Sequence, residues 1–308
     1  MNITLLTGGV GGSKLGLGFH HIGCELTAIV NTGDDVVVHG LHVSPDPDIL
    51  IYTLADVVNA ANGWGIRDDT FHVAEQLTHY GRDTWFQLGD RDLATHIYRT
   101  TMLSSGATLS EALDAIRKCH DVSARILPMS DDPVCTMLHT DQGVMHLQEY
   151  LVRRRCQPQV RKIEYRGAVQ ARPAPGVIDA IKTADLVVIA PSNPLISIGP
   201  IVAVPGVRSA LRQKRDGVVA VCPLVGGKSL KGPTDRMMAQ LGYDVSAAAI
   251  AGMYRDICSA LILDNSDDGD CAAVEAAGLR PVLLRTMMET LEDKGALAEA
   301  ILARCAPS

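Results

Sequence analysis

The chain is predicted to be an α/β protein with a mostly parallel sheet and helices on both of its faces. Three observations predict it. Four short apolar runs, Leu186 to Ala190, Val218 to Cys222, Ala260 to Leu263 and Val282 to Leu284, alternate with helical stretches in the last part of the sequence. A strand, glycine turn and helix open the chain, with Ile3 to Leu6 leading into Thr7-Gly-Gly-Val-Gly-Gly-Ser-Lys14 and then Leu15 to His20. A second apolar run, Leu26 to Val30, leads into a segment bearing four carboxylates.

In order along the chain, the glycine turn comes first. Backbone N–H groups and the positive end of a helix meet there, an arrangement suited to a diphosphate. The string matches neither standard nucleotide template. Ser13 precedes Lys14 where a Walker A loop needs the reverse, and Lys14 stands where the dinucleotide pattern needs its third glycine.

Residues Asn31 to Asp48 follow, with Asp34/Asp35 and Asp46/Asp48 on segments expected to be loops. Clustered hard oxygen ligands at the carboxyl end of a strand are what Mg²⁺ requires when it also holds substrate phosphates. Asp-Asp and Pro-Asp-Pro-Asp are also ordinary turn strings. Two such pairs just past a glycine turn favour a metal and phosphate site.

The region 50–130 reads as mostly helical, with Thr108-x-x-Glu111 as a capping box before an apolar face at Ala112, Leu113, Ile116 and Cys119. It holds both tryptophans of the chain, in Gly63-Trp-Gly65 and in Trp85-Phe86 ahead of Gly89-Asp-Arg-Asp-Leu-Ala-Thr-His96. A flat ring beside polar groups suits a planar ligand, and a tryptophan is also a common core residue. Val134 to Val152 reads as a hairpin turning at 140–143, and the arginine-rich stretch from Arg153 to Arg172 as a solvated face.

Helices are then expected at 177–184, 206–214, 234–241, 270–278 and 288–304. The sheet is expected to be built from 1–49 and 171–308, with 50–170 inserted as a mainly helical region carrying a substrate. Two loops at strand ends carry polar groups, Pro191 to Pro200 with Asn193 and Ser197, and Gly226 to Pro233 with Lys228 and Lys231. Both are expected to converge with the glycine turn and the aspartates, because ligands of open α/β sheets sit at the carboxyl ends of strands.

The bulk composition narrows the function. The 308 residues carry a net charge of −7, which argues against general affinity for nucleic acid or an anionic membrane. Eight scattered cysteines have no ligand or redox spacing and read as reduced thiols. No stretch approaches the roughly 20 apolar residues of a membrane span. The N-terminus begins directly as a strand, so a soluble cytoplasmic protein is expected.

Taken together these strings resemble the 2-phospho-L-lactate transferase family of coenzyme F-420 biosynthesis. The resemblance runs over almost the whole chain, through Gly8-Gly-Val-Gly-Gly12, Asn31-Thr-Gly-Asp-Asp35, Pro45-Asp-Pro-Asp48, Gly63-Trp-Gly65, Trp85-Phe86, Gly89 to His96, Leu127-Pro-Met-Ser-Asp131, Ala190 to Pro194, Ser197-Ile-Gly-Pro200 and Gly232-Pro233. One departure is Ile49, where the family usually places threonine.

The resemblance implies a Rossmann-like three-layer sheet with an inserted helical part, a homodimer and a Mg²⁺-dependent transferase. Its substrates would be a guanosine diphosphate-linked carboxylic acid and the deazaflavin Fo. It also implies metal ligands among Asp34, Asp35, Asp46 and Asp48. Asp48, Asp35 and Arg91 would be catalytic, with Asp48 orienting or deprotonating the attacking hydroxyl. Gly9, Gly11, Gly12, Lys14, Asn193, Ser197 and Lys228 would face the GDP portion. Asp48, Arg91, Trp64, Trp85 and His96 would face Fo. Two rivals remain at this stage, a regulatory protein that binds a nucleotide sugar without turnover and a nicotinamide-dependent dehydrogenase.

Overall fold

The protein is described from a computed structural model covering residues 1–306. The first strand, β1 (Asn2–Thr7), runs straight into helix α1 (Gly9–His21), and β2 (Glu25–Val30) follows. A small hairpin, β3 (Val36–Val38) and β4 (Leu41–Val43), leads to α2 (Pro45–Leu54). Helices α3 (His72–His79), α4 (Asp90–Ser104) and α5 (Leu109–Cys119) precede β5 (Arg125–Pro128).

A separate three-stranded sheet comprises β6 (Cys135–Thr140), β7 (Gly143–His146) and β8 (Val160–Arg166), with a π-helical turn at Glu149–Arg153. Then come α6 (Val177–Thr183), β9 (Leu186–Ile189), α7 (Gly199–Ala203), α8 (Val207–Gln213) and β10 (Val218–Val221). A short hairpin, β11 (Leu224–Val225) and β12 (Lys228–Ser229), leads to α9 (Thr234–Gln240), α10 (Ala247–Tyr254), β13 (Ala260–Asp264), α11 (Cys271–Ala276), β14 (Arg280–Leu284) and α12 (Leu291–Cys305).

The main sheet has seven strands, all parallel, in the order β14-β13-β10-β9-β1-β2-β5. Strand alternation divides its core between two faces. Ile3 and Leu5 of β1 pack with α1, α2, α5 and α12, for example against Leu15, Leu50, Leu113 and Leu297. Leu6 packs on the other face with α6, α8 and α10, among them Ile181, Leu211 and Ile250. Both faces are dry, as a sheet covered on each side by helices requires. The order of strands reverses between β1 and β9, so a crevice opens there at their carboxyl ends.

All six strands expected from apolar runs are present in this sheet. The stretch 50–170 carries the expected helices and the expected hairpin, β6–β7, and differs from the expected insertion in one way. Its residues 125–128 form β5, which pairs with β2 as the sheet's edge, Ala28 opposite Ile126. Arg125-Ile-Leu-Pro128 is too short to stand out from helical surroundings. The three-stranded sheet with the π-turn then stands apart from it.

Asp46 and Asp48 are not on a loop. They occupy the first turn of α2, where Pro45 takes a position whose missing N–H costs nothing and the acids face the helix's positive end. Helix α10 has no counterpart among the expected helices, because Ala-Ala-Ala-Ile-Ala-Gly-Met-Tyr is apolar all round and shows no periodicity. Among the described residues no single helix is long and apolar enough to cross a membrane.

Candidate active site

The crevice at the strand reversal is closed by its own loops. Gly8 and Ser192, at the ends of β1 and β9, bond reciprocally: the Gly8 N–H donates to Ser192 Oγ at 3.3 Å, and that hydroxyl donates to Gly8 O at 2.7 Å. Gly9 then adopts φ +69°, a left-handed conformation open to glycine, and α1 begins. Gly12 sits against Thr7 and Ser192, where a Cβ would overlap both side chains, so it brings helix and strand together and does not line the crevice.

The four aspartates pair differently from their order in sequence. Asp46 Oδ1 accepts the Gly9 N–H at 2.7 Å. The Asn31 amide donates to Asp46 Oδ2 at 2.9 Å and to Asp34 Oδ1 at 3.1 Å, so one side chain joins Asp34 to Asp46. Gln148 Nε2 donates to the other oxygen of Asp34 at 2.8 Å. Both carboxylates are buried, and burial pushes their pKa values up, Asp34 well above its ordinary range and Asp46 to about 6. The charges of Asp46 and Asp35 raise Asp34 further, whereas the Asn31 and Gly9 hydrogen bonds hold Asp46 down.

Asp35 and Asp48 belong to a second network. Ser44 Oγ donates to Asp35 at 2.6 Å, and His42 Nε2 lies 3.6 Å from the same oxygen. Asp48 forms an ion pair with Arg99, which is fully buried and also donates to His42 O at 3.2 Å. His96 Nδ1 is 3.7 Å from the other oxygen of Asp48, and His96 Nε2 is 3.4 Å from Asp92, which accepts the Tyr52 hydroxyl at 2.8 Å. Burial raises the pKa of Asp48 while Arg99 opposes it. Asp48 Oδ2 and His96 Nε2 have no hydrogen-bond partner.

Two cavities meet at this point. The first, about 520 Å³, is lined by Gly9, Gly11, Lys14, Asn193, Ser197 and Lys231, among others. The second, about 630 Å³, is lined by Asp48, Tyr52, Trp64, Trp85, Phe86 and His96, among others. The rings of Trp85 and Phe86 meet edge to face, with centroids 5.5 Å apart. Among the described residues, only Asp34, Asp46 and Leu151 line both cavities. The tryptophans thus wall a cavity and are not sealed in the core.

Besides Gly12, three expected residues stand elsewhere. Arg91 is exposed, lines neither cavity, and reaches toward Arg67 O at 3.4 Å. Helix phase explains this: Asp92, His96 and Arg99, at i, i+4 and i+7, share the buried face of α4, and Arg91 precedes it by about 100°. Lys228 is exposed on β12, and Lys231 lines the first cavity in its place. Asp35 lines neither cavity. The residues missed were Asn31, Tyr52, Arg99, Gln148 and Leu151. The string Asn31-Thr-Gly-Asp-Asp35 signals Asn31, and the i, i+4, i+7 spacing of Asp92, His96 and Arg99 signals Arg99.

The chemistry of the donor set can be tested against Mg²⁺. Among the described residues no three His, Cys, Asp or Glu side chains gather as a ready set of ligands. Mg²⁺ keeps several waters and is commonly held by one or two carboxylates with substrate phosphates supplying the rest. Asp34 and Asp46 fit that requirement: two buried carboxylates, joined through one amide, beside the glycine turn and without a cationic partner. Asp35 and Asp48 fit it less well, being taken up by Ser44 and Arg99.

The family model described as 2-phospho-L-lactate transferase CofD matches residues 3–295. A phosphoenolpyruvate transferase of Streptomyces griseus is 42% identical over 310 residues, covering 98% of each chain. A 2-phospho-L-lactate transferase of Methanosarcina mazei is 37% identical over 300 residues, covering 97% of this chain and 98% of the other. A crystal structure of a UPF0052 family protein from Bacillus halodurans superimposes with a TM-score of 0.68 over 98% of both chains at 19% identity, which shows a shared Rossmann-like fold. With a family model spanning nearly all of its length, the chain belongs to the CofD family of 2-phospho-L-lactate transferases.

Proposed function

We propose that the protein transfers a phospho-carboxylate group from its guanosine diphosphate-activated form to the terminal ribityl hydroxyl of Fo, releasing GMP. The transferred acid is phospholactate, phosphoenolpyruvate or phosphoglycerate, and the product is F-420-0 or a close variant of it. One observation carries the reading: two cavities of different character share a wall made of two carboxylates and Leu151.

The first cavity suits the nucleotide. The first-turn amides of α1 have no partner within the helix, and Val10 and Gly11 line the cavity with Lys14 and Lys231 beside them. The second suits a flat deazaflavin ring between Trp64, Trp85 and Phe86. A magnesium ion held by Asp34 and Asp46 supplies charge neutralisation at the phosphorus. Asn31 and Gln148 fix the directions of those two carboxylates. Asp48, paired with Arg99 and lining the second cavity, accepts the proton of the ribityl hydroxyl. The oxygen left behind then displaces GMP from the phosphorus.

The reading extends to a homodimer and a cytoplasmic location. Adjacent Ile97 and Tyr98 on α4, 53% and 45% exposed, offer an apolar face to a second copy, and the eight cysteines are unpaired. Incubation with Fo, Mg²⁺ and each GDP-linked donor tests the activity. GMP release with a phosphodiester product in the mass spectrum is expected, and Fo left unchanged with all donors would end the proposal. Binding of a nicotinamide nucleotide or a nucleotide sugar is favoured by no observation in the site.

A further inference from the structure

We infer that Leu151 decides which phospho-carboxylate is transferred, by presenting an apolar wall to the acid's small substituent. The inference rests on the donor and acceptor just described. If the nucleotide fills one cavity and Fo the other, the phosphorus lies where they join. The acid esterified to that phosphorus lies within a few bond lengths of the same place. Three side chains line both cavities, Asp34, Asp46 and Leu151. Two of them are carboxylates, which repel the acid's own carboxylate and would hold the cation. Leu151 is the one left to meet carbon.

Its position is rigid. Leu151 rides on the π-turn Glu149–Arg153, a kind of irregularity frequent at functional sites, and packs against a buried cluster that includes Leu138, Met145, Tyr150 and Val160. The turn ends in Arg155 and Cys156, both left-handed, with φ of +49° and +57°. Arg155 also lines the second cavity and is the one arginine lining either of the two. One short segment therefore presents an apolar contact for the substituent and a guanidinium for the carboxylate.

A lactyl methyl or an enolpyruvyl methylene places only C–H groups against Leu151. A glyceryl group brings an extra hydroxyl, which loses water there and finds no partner on an isobutyl side chain. Gln148, the amide on the same segment, already donates to Asp34. An apolar wall rejects an added hydroxyl by roughly a hundredfold, so selection against phosphoglycerate of that order is expected.

The test gives the purified full-length protein Fo and equal concentrations of the three GDP-linked donors, with products counted by mass spectrometry. The unaltered chain should form lactyl or enolpyruvyl product in preference to glyceryl product. Leu151→Ser should lower that preference about tenfold by giving the hydroxyl a partner, and Leu151→Met should preserve it. Thermal unfolding checks that the variants fold, and Leu151→Thr, closer to leucine in volume, carries the same test if the serine variant does not. A preference unchanged in the hydroxyl-bearing variant, or a glyceryl product dominant in the unaltered chain, overturns the inference. Turnover of none of the three donors by the unaltered chain instead removes the donor assignment on which it rests.

Discussion

Arg99 and Asp48 form an ion pair with almost no access to solvent, joining the middle of α4 to the first turn of α2. A buried charge that loses its partner costs far more than an exposed one. Arg99→Met should therefore destabilise the fold by about 3–5 kcal/mol in urea denaturation. Arg91→Met, on the exposed side of the same helix, should stay within about 0.5 kcal/mol. Equal effects at the two positions would contradict the burial of this pair.

The Asp34–Asp46 pair ties stability to pH and to the cation. Asp46 titrates at about 6 in the folded chain against an ordinary 3.8. The folded state therefore holds this proton more tightly than the unfolded state. Without a divalent ion, its contribution falls as pH rises through that interval and is fully unfavourable above it. A cation needs the deprotonated pair, so the rise in Tm on adding Mg²⁺ should be larger at pH 7.5 than at pH 5. Asp46→Asn should abolish most of that difference. A Mg²⁺ shift independent of pH would place the ion elsewhere.

The tryptophans separate acceptor from donor. Trp85→Ala should weaken Fo binding by about 0.5–1.5 kcal/mol, seen as a several-fold rise in the KM for Fo. The KM for the GDP-linked donor should hold, since Trp85 lines only the second cavity. A matching rise for the donor would mean that the two cavities are not separate subsites.

Two glycines should respond in opposite directions. A Cβ at Gly12 meets Thr7 and Ser192, so Gly12→Ala should cost about 1–3 kcal/mol and loosen the turn that faces the nucleotide. Gly252 lies inside α10 with no atom near the added methyl, so Gly252→Ala should stabilise by about 0.5–1 kcal/mol. Calorimetric Tm values of the two variants check both signs.

Six of the seven sheet strands, the glycine turn and the stretch of chain that holds the acids are legible in the sequence. Apolar runs such as Leu186 to Ile189 are buried on both sides in any parallel sheet, and Gly9 permits the left-handed backbone that the turn adopts. These are properties of neighbours along the chain. Only the tertiary structure decided which acids act together. Asp34 meets Asp46 rather than Asp35 because Asn31 reaches both and the first turn of α2 folds back onto the Gly9 amide. Arg99 rather than Arg91 holds Asp48 because helix phase turns one inward and the other out, across 51 residues of chain. Leu151 enters the site from a three-stranded sheet that gives no local sign of its destination. Distances across such separations depend on how whole elements pack, and no window of sequence carries that information.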